Sequence, residues 1–400
     1  MQKLGDVRIL MKNVNYIIGD ENIVNTPLRV FDDEVCEFLN EISSNLLKSP
    51  IIRKYTDLSA LAFWCRKANL QKMKDNFGKF NNRVGRGLCF HIAPSNIPVN
   101  SIFSYFFGLL AGNSNIVRLS SKDFPQVDYI CELIKNTLEK YPNIKKRTIF
   151  VKYSRSNEIS EEFSKNSDCR MIWGGDKTIK MFKSFECKPR CIDIAFPDRY
   201  SIAIIDANSV QNATEAEMTR LAENFYVDTY LMDQNACSSP QLIYWLNDNP
   251  KSREKFWQYV YDYANEKYTL QDAVCVDKYT KLCEDAILQK NLSSTNTRTN
   301  LLYRSEIKQL SKEVQNMRGK CGYFYEYSLN NLEEMYSVVT DKYQTITYFG
   351  INPEELQQNI IENKLRGIDR IVPIGKAMDI GVIWDGHDLL RELSREISVL

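Results

Sequence analysis

RGLCFHIAPSNIPVNSIFSYFFGLLAGNSNIVRL, residues 86–119, is the stretch whose reading decides the fold. Residues 86–93 form a compact apolar run of strand length. Pro94-Ser95-Asn96-Ile97 follows as a turn. Pro98 suits the first position of a helix and Gly112 the position just past its end. Residues 115–119 then read as a second strand. Outward from this unit the alternation continues. Val127, Ile130, Ile134 and Leu138 make the stripe of an amphipathic helix at 126–140. A strand is expected at 148–153, a helix at 158–165, and a strand at 169–173. Gly174-Gly175 turns into a helix at 177–185, and 200–205 is another strand. Strands and helices in alternation predict an α/β fold with a doubly wound, Rossmann-type parallel sheet.

A second region begins near Asn208. Thr214 and Glu217 have capping-box spacing, and Met218, Leu221, Ala222, Phe225 and Met232 share one side of the helix behind them. That helix stops at Asp233-Gln234-Asn235. Pro240 bars its continuation, and QLIYWL, residues 241–246, reads as a strand. Cys237 thus sits in a short helix-to-strand turn. Further elements are expected as helices at 253–267 and 353–365, strands at 322–327, 345–348 and 370–374, and a terminal helix at 387–395. Residues 292–300, rich in Ser, Thr and Asn, read as a surface loop. Helical spacing at 33–47 and 60–73 makes the first 80 or so residues mainly helical. The expected organisation is four segments. Residues 1–84 are the helical start of a cofactor domain, and 85–206 are that domain proper. Residues 207–372 form a second α/β domain, and 373–400 pack back on the first.

Composition narrows the function. The chain has 400 residues, enough for two or three domains, with 52 Lys plus Arg against 51 Asp plus Glu. A net charge of +1 gives no broad basic field for nucleic acid. No apolar run reaches the ~18 residues of a membrane span, and MQKLGDVRIL lacks the form of a signal peptide. A cytoplasmic protein with reduced thiols is the expectation. The 11 cysteines are an odd number and contain no C-x-x-C; Cys187 and Cys191 stand without a second ligand pair, so no metal site is expected. There are only two histidines, His91 and His387. A Cys/His or Ser/His pair would need one of them as base, and both read better as structural polar residues. Neither G-x-G-x-x-G nor a Walker loop occurs. The turns at 94–98 and 173–175 are the remaining candidates for a nucleotide at strand C-termini.

Three segments, in order, resemble the aldehyde dehydrogenase superfamily: APSNIP (93–98), AGNSNIVRLSSKDFP (111–125) and DQNACSSPQLIYW (233–245). A finer likeness, to the LuxC-type acyl-CoA reductases (fatty acid reductases) of bacterial bioluminescence, lies in ACSSPQ (236–241), QTITYFG (344–350) and RIVPIGKAMDIGVIWDGHDLL (370–390). The resemblance covers about residues 85–395. It implies that Cys237 is a nucleophile that takes an acyl group as a thioester. Asn96 and the backbone N–H of Cys237 would stabilise the oxyanion. A reduced nicotinamide would deliver hydride to give an aldehyde. It also implies a pyrophosphate turn at Trp173-Gly174-Gly175, a cofactor contact from Ser95 and a ring contact from Phe349. The departures from the pattern are specific. Phe196 stands where hydrolytic relatives carry a water-activating Glu, with Asp198 nearby. Arg118 replaces the ribose-binding Lys, and with Ser120 and Lys122 it favours NADPH, with NADH as the alternative. Thr347 replaces a second ribose contact.

The implied activity is NADPH-dependent reduction of an acyl-CoA, or of a thioester on an acyl-carrying, acyl-protein-synthetase-like partner. The same chemistry run oxidatively and a non-redox acyl-transfer or scaffold subunit are the alternatives. The superfamily often forms dimers or tetramers, so a homo-oligomer belongs to the same reading.

Overall fold

A computed structural model describes residues 6–9, 12–94 and 97–399. The chain divides into two units, Met1–Pro197 with Gly381–Leu400, and Asp198–Ile380.

The first unit carries β1 (Asn15–Ile18), α1 (Asp33–Lys48), β2 (Leu88–Ile92), α2 (Asn100–Leu110), β3 (Ser114–Arg118), α3 (Pro125–Leu138), β4 (Thr148–Lys152), α4 (Asn157–Asn166), β5 (Cys169–Trp173), α5 (Asp176–Ser184) and β6 (Ile192–Phe196). The sheet order is β1-β4-β3-β2-β5-β6. All neighbours are parallel except β1, which runs against β4. The order reverses between β2 and β5. Their C-terminal ends therefore flank a topological switch point, where doubly wound sheets bind ligands.

Every residue of β2 and of α2 is buried. That matches strands covered on both faces and a helix apolar all round. Gly108 inside α2 has a packing reason: a Cβ there would lie 2.0 Å from Asn115 Oδ1 and 2.9 Å from His91 Nε2. His91 is fully buried. Its Nδ1 lies 2.7 Å from the Ser104 hydroxyl and its Nε2 2.9 Å from Asn115 Oδ1. Asn115 gives its own amide hydrogens to Asn113 O, so Nε2–H donates to Oδ1 and Nδ1 accepts from Ser104. Burial pushes the imidazole down to about 4. The unfolded ring takes up its proton near the ordinary value of about 6.5. Stability from this group is therefore complete above about pH 6.5 and is lost as pH falls toward 4, up to ~3 kcal/mol. Urea titrations of the wild type and His91→Gln at pH 7 and pH 4.5 check this. The gap in unfolding free energy between the two should shrink at the lower pH, and a pH-independent gap refutes the account.

The C-terminal segment returns to this unit. Ser394–Glu396 pairs antiparallel with Arg83–Gly85. Arg83 donates to Ser394 Oγ and Glu396, and Asn113 donates to Leu393 O.

The second unit contains β7 (Tyr200–Asp206), α6 (Glu215–Asp228), β8 (Pro240–Leu246), α7 (Pro250–Lys267), α8 (Asp272–Leu288), β9 (Leu292–Arg298), β10 (Leu302–Ile307), β11 (Tyr323–Leu329), β12 (Tyr343–Phe349), α9 (Pro353–Glu362) and β13 (Arg370–Pro373). The order is β9-β10-β11-β8-β7-β12-β13, parallel throughout except for the edge pair β9·β10. The capping box of Thr214 and Glu217 starts α6. Phe225, Phe256, Trp257 and Phe324 cluster on one face of the sheet, and Tyr200, Leu242, Tyr244, Tyr343 and Leu356 on the other.

Several elements differ from expectation. Residues 200–205, expected in the first domain, form β7, an interior strand of the second sheet. The units meet at 197/198, not 206/207, and the chain rejoins the first unit at Gly381, not at 373. Alternation alone does not show where one sheet's run ends, and β6, which ends it, is short and half-buried. The first 25 residues add strands as well: Asp6–Arg8 pairs with Asn22–Val24, and β1 extends the sheet. The helix expected at 60–73 is two helices, Thr56–Trp64 and Lys67–Phe77, because Arg66 is extended and Asn69 caps Trp64 O. Residues 292–298 are a strand exposed on both faces, which its Ser/Thr/Asn content disguises as a loop. At the C-terminus only Leu389–Glu392 is helical before the final strand.

Candidate active site

The turn that carries Cys237 is built by two glutamines. After α6 the chain makes one 3-10 turn, Tyr230–Met232, and then Asp233 and Gln234 adopt left-handed backbone with φ of 53° and 55°. Such conformations cost roughly 1 kcal/mol or more for non-glycine residues and need outside support. Gln234 provides it. Its buried amide donates to Tyr323 O (3.2 Å) and Pro240 O (3.4 Å), and its Oε1 accepts from the N–H groups of Gly322 (2.8 Å) and Tyr323 (3.1 Å). Gln241 closes the other end: Nε2 donates to Gln234 O and Oε1 accepts from Gly319 N–H. Beneath the turn, Ser201 Oγ donates to Cys237 O at 2.6 Å and accepts from Thr345 N–H at 3.3 Å. Pro240, which lacks an N–H, opens β8 where the ladder asks least of it. Cys237 is thus a half-buried thiol, in no disulfide, at the N-terminal end of a parallel strand.

Most other thiols are disfavoured as nucleophiles. Burial pushes Cys36 up to about 11, and Cys65, Cys131 and Cys191 up to about 12. Cys89 and Cys321 move in the same direction for the same reason. A thiol held protonated attacks poorly.

In the first unit, the expected cofactor residues collect at the C-terminal edge of the sheet. Arg118 ends β3 and lies over the Tyr153 ring at 4.6 Å, and its buried Nε has no protein partner. Ala93, just beyond β2, donates its N–H to Arg118 O. Trp173 ends β5, and its indole N–H donates to Ser104 Oγ. Gly175 is the N-cap of α5, and no side chain caps that end. A Cβ on Gly175 would meet nothing within 4 Å. An open helix N-terminus beside a switch point, with a guanidinium on the neighbouring edge, fits a dinucleotide's phosphates. Ser120 Oγ accepts from Lys122 N–H, and the Lys122 side chain is exposed. Ser95 and Asn96 lie outside the described residues.

Phe196 stacks on Trp173 with ring centroids 3.8 Å apart and planes 13° apart, and it is nearly fully buried. Apolar stacking thus fills the position where the resemblance sets Phe196 against a carboxylate. Asp198 is no free substitute, because Arg318 and Lys342 both engage it.

The expected ring contact from Phe349 is corrected by strand direction. Phe349 pairs with Ile205, level with Trp245 at the far end of the parallel sheet. Cys237 precedes Pro240 at the opposite end, level with Tyr343 to Thr345. Six strand steps separate these levels, about 20 Å. Thr347 is fully buried mid-strand, its hydroxyl directed at Ile202 O, and offers nothing to a ribose. Gln234, Gln241 and Ser201 were not singled out from sequence. The signal was there in the two glutamines that bracket DQNACSSPQ, seven residues apart.

The family model described as Acyl-CoA reductase (LuxC) matches residues 62–396. The chain belongs to that family. The LuxC match begins some thirty residues before the first motif and takes in the helix Lys67–Phe77 that precedes β2. The long-chain acyl-protein thioester reductase of Vibrio harveyi is 24% identical over 320 residues, covering 78% of this chain and 63% of that protein. That of Photobacterium phosphoreum is 29% identical over 168 residues, 41% of this chain and 32% of that protein. The chain therefore matches between about a third and just under two thirds of the length of these relatives. Among solved structures, lactaldehyde dehydrogenase from Escherichia coli superposes with a TM-score of 0.63 at 12% identity, covering 97% of this chain and 96% of that one. A NAD-dependent benzaldehyde dehydrogenase from Corynebacterium glutamicum gives 0.57 at 10% identity, covering 91% and 80%. The fold is that of aldehyde dehydrogenases. No helix among the described residues is long and apolar enough to cross a membrane.

Proposed function

We propose that this LuxC-family chain reduces an acyl thioester, carried by coenzyme A or by an acyl-carrying partner protein, to the aldehyde through an acyl-Cys237 intermediate. The observation that carries the reading is the double-glutamine turn, which presents one half-buried thiol from a rigid frame.

The Cys237 thiolate attacks the donor's carbonyl. A new C–S bond forms, the donor's C–S bond breaks, and the donor thiol leaves with a proton from solvent. The side-chain amide of Asn96 and the backbone N–H of Cys237 donate to the oxyanion; removing one such donor costs roughly 10²–10³ in rate. Bound at the switch point of the first sheet, a reduced nicotinamide supplies the hydride that the acyl carbon receives. The carbonyl oxygen takes a proton, the C–S bond to Cys237 breaks, and aldehyde departs as the thiol is restored. Arg118, with Ser120 and Lys122, would hold the extra phosphate of NADPH, a group that suits a guanidinium, while the open N-terminus of α5 at Gly174-Gly175 would receive the pyrophosphate. The Phe196–Trp173 stack supplies no base for water, so the acyl group passes to hydride and not to hydroxide.

Titration of NADPH fluorescence with the protein, followed by acyl-CoA addition, tests this. Saturable binding and cofactor oxidation on addition are expected. Acylation of Cys237 without any NADPH binding would instead make the chain a non-redox acyl carrier within a complex.

A further inference from the structure

One buried carboxylate near the nucleophile turn is used by nothing in the mechanism above. Asp228, the last residue of α6, is fully buried. Its Oδ2 accepts from Gly375 N–H at 2.6 Å and its Oδ1 from Ala377 N–H at 2.9 Å. From the other side Arg370, the first residue of β13, donates to the carbonyls of Ala377 (2.7 Å), Lys376 (2.8 Å) and Asp379 (2.5 Å). Two side chains thus hold five backbone groups of a loop that has no regular structure of its own. Gly375, with φ of 99°, lets the loop lie against α6, because a Cβ there would sit 2.6 Å from Asn224 Cγ. The loop's outward product is Met378, whose sulfur receives the Ser238 hydroxyl at 3.8 Å. Ser238 is the neighbour of Cys237.

We propose that Asp228 and Arg370 are positioning residues for acyl transfer: they lock residues 375–379 so that Met378 braces Ser238 and fixes the aim of the Cys237 thiol. The proposal rests on Cys237 being the acyl acceptor. Neither clamp residue touches the reacting atoms. Misplacing a reacting group by about 1 Å costs on the order of a hundredfold, and a loop freed of five hydrogen bonds is able to move that far. The charged groups facing Asp228 are Arg370 from β13 and Asp379 from the loop, with Lys376 paired to Asp379. Burial raises the carboxyl to about 7, the two N–H groups and Arg370 opposing it. The clamp therefore holds best above neutral pH.

The test uses the full chain and p-nitrophenyl acetate, a simple acyl donor. Asp228→Asn should lower the rate of Cys237 acylation by about tenfold to a hundredfold at pH 8. Iodoacetamide, whose attack needs little alignment, should alkylate Cys237 at nearly the wild-type rate. The acylation gap should narrow as pH falls to 6, where the wild-type carboxyl is itself neutral. Met378→Ala and Met378→Leu, both lacking the sulfur that accepts from Ser238, should each reproduce the loss, which keeps the test decisive if Asp228→Asn fails to fold. An unchanged acylation rate in folded Asp228→Asn, or in Met378→Ala, overturns the proposal, as does an equal fall in alkylation. If long-chain acyl-CoA fails to acylate the wild type while the p-nitrophenyl acetate gap remains, the proposed function fails and the clamp stands.

Discussion

Cys237→Ala is expected to abolish both covalent acylation and acyl-CoA-dependent NADPH oxidation, with a loss of at least about 10⁴-fold. The loss should be chemical, not structural. The thiol is half-buried and the turn is held by Gln234, Gln241 and Ser201. None of those contacts uses the Cys237 sulfur. Truncating one partly exposed sulfur costs on the order of 1 kcal/mol or less, so the thermal midpoint should move by only a few degrees. Alanine at fully buried Cys65 or Cys89 should show the opposite pattern, with stability lowered and activity per folded molecule retained. Steady-state rates set beside calorimetry separate the two. Residual turnover in Cys237→Ala above a hundredth of wild type would remove the nucleophile assignment.

Gln234→Leu should be among the most destabilising single changes in the second unit. The substitution leaves the N–H groups of Gly322 and Tyr323 and the carbonyls of Tyr323 and Pro240 without this partner, in a site that is nearly closed to water. Each buried polar group left unmet costs about 1–3 kcal/mol. Some groups will recover a partner by shifting, which leaves a net loss of about 3–5 kcal/mol. The left-handed backbone at Gln234, φ 55°, loses its support at the same time. The acylation burst should fall by more than tenfold even in the fraction that stays folded, since the frame of Cys237 is gone. Urea unfolding and a single-turnover acylation measurement check the two halves. A variant within 1 kcal/mol of wild type and with a normal burst contradicts the frame.

Much of this is legible in the amino-acid sequence. Residues 86–119 announce a strand, turn, helix and strand because their apolar run, Pro98 and Gly112 are local signals, and β2, α2 and β3 lie there. The helix itself begins at Asn100, two residues after Pro98. The placement of β7 was not readable. YSIAIID has the same buried strand character whichever sheet receives it, and partner choice is a long-range matter. β9 hid because an exposed edge strand has the composition of a loop. At the site, motif and turn chemistry point to Cys237, whereas a motif gives the spacing of Phe349 without the strand direction that sets it at the far end of the sheet. Gln234 and Asp228 act through hydrogen bonds to backbone 80 to 150 residues away, and no periodicity encodes such partners.

The most direct measurement is the intact mass of the protein after incubation with a long-chain acyl-CoA, without cofactor and then with NADPH. The account predicts one added acyl group, mapped to the peptide that carries Cys237 and absent from Cys237→Ala, which disappears as aldehyde forms once NADPH is added. No adduct on the wild type, an adduct that persists in Cys237→Ala, or loss of the acyl group as free acid would contradict it.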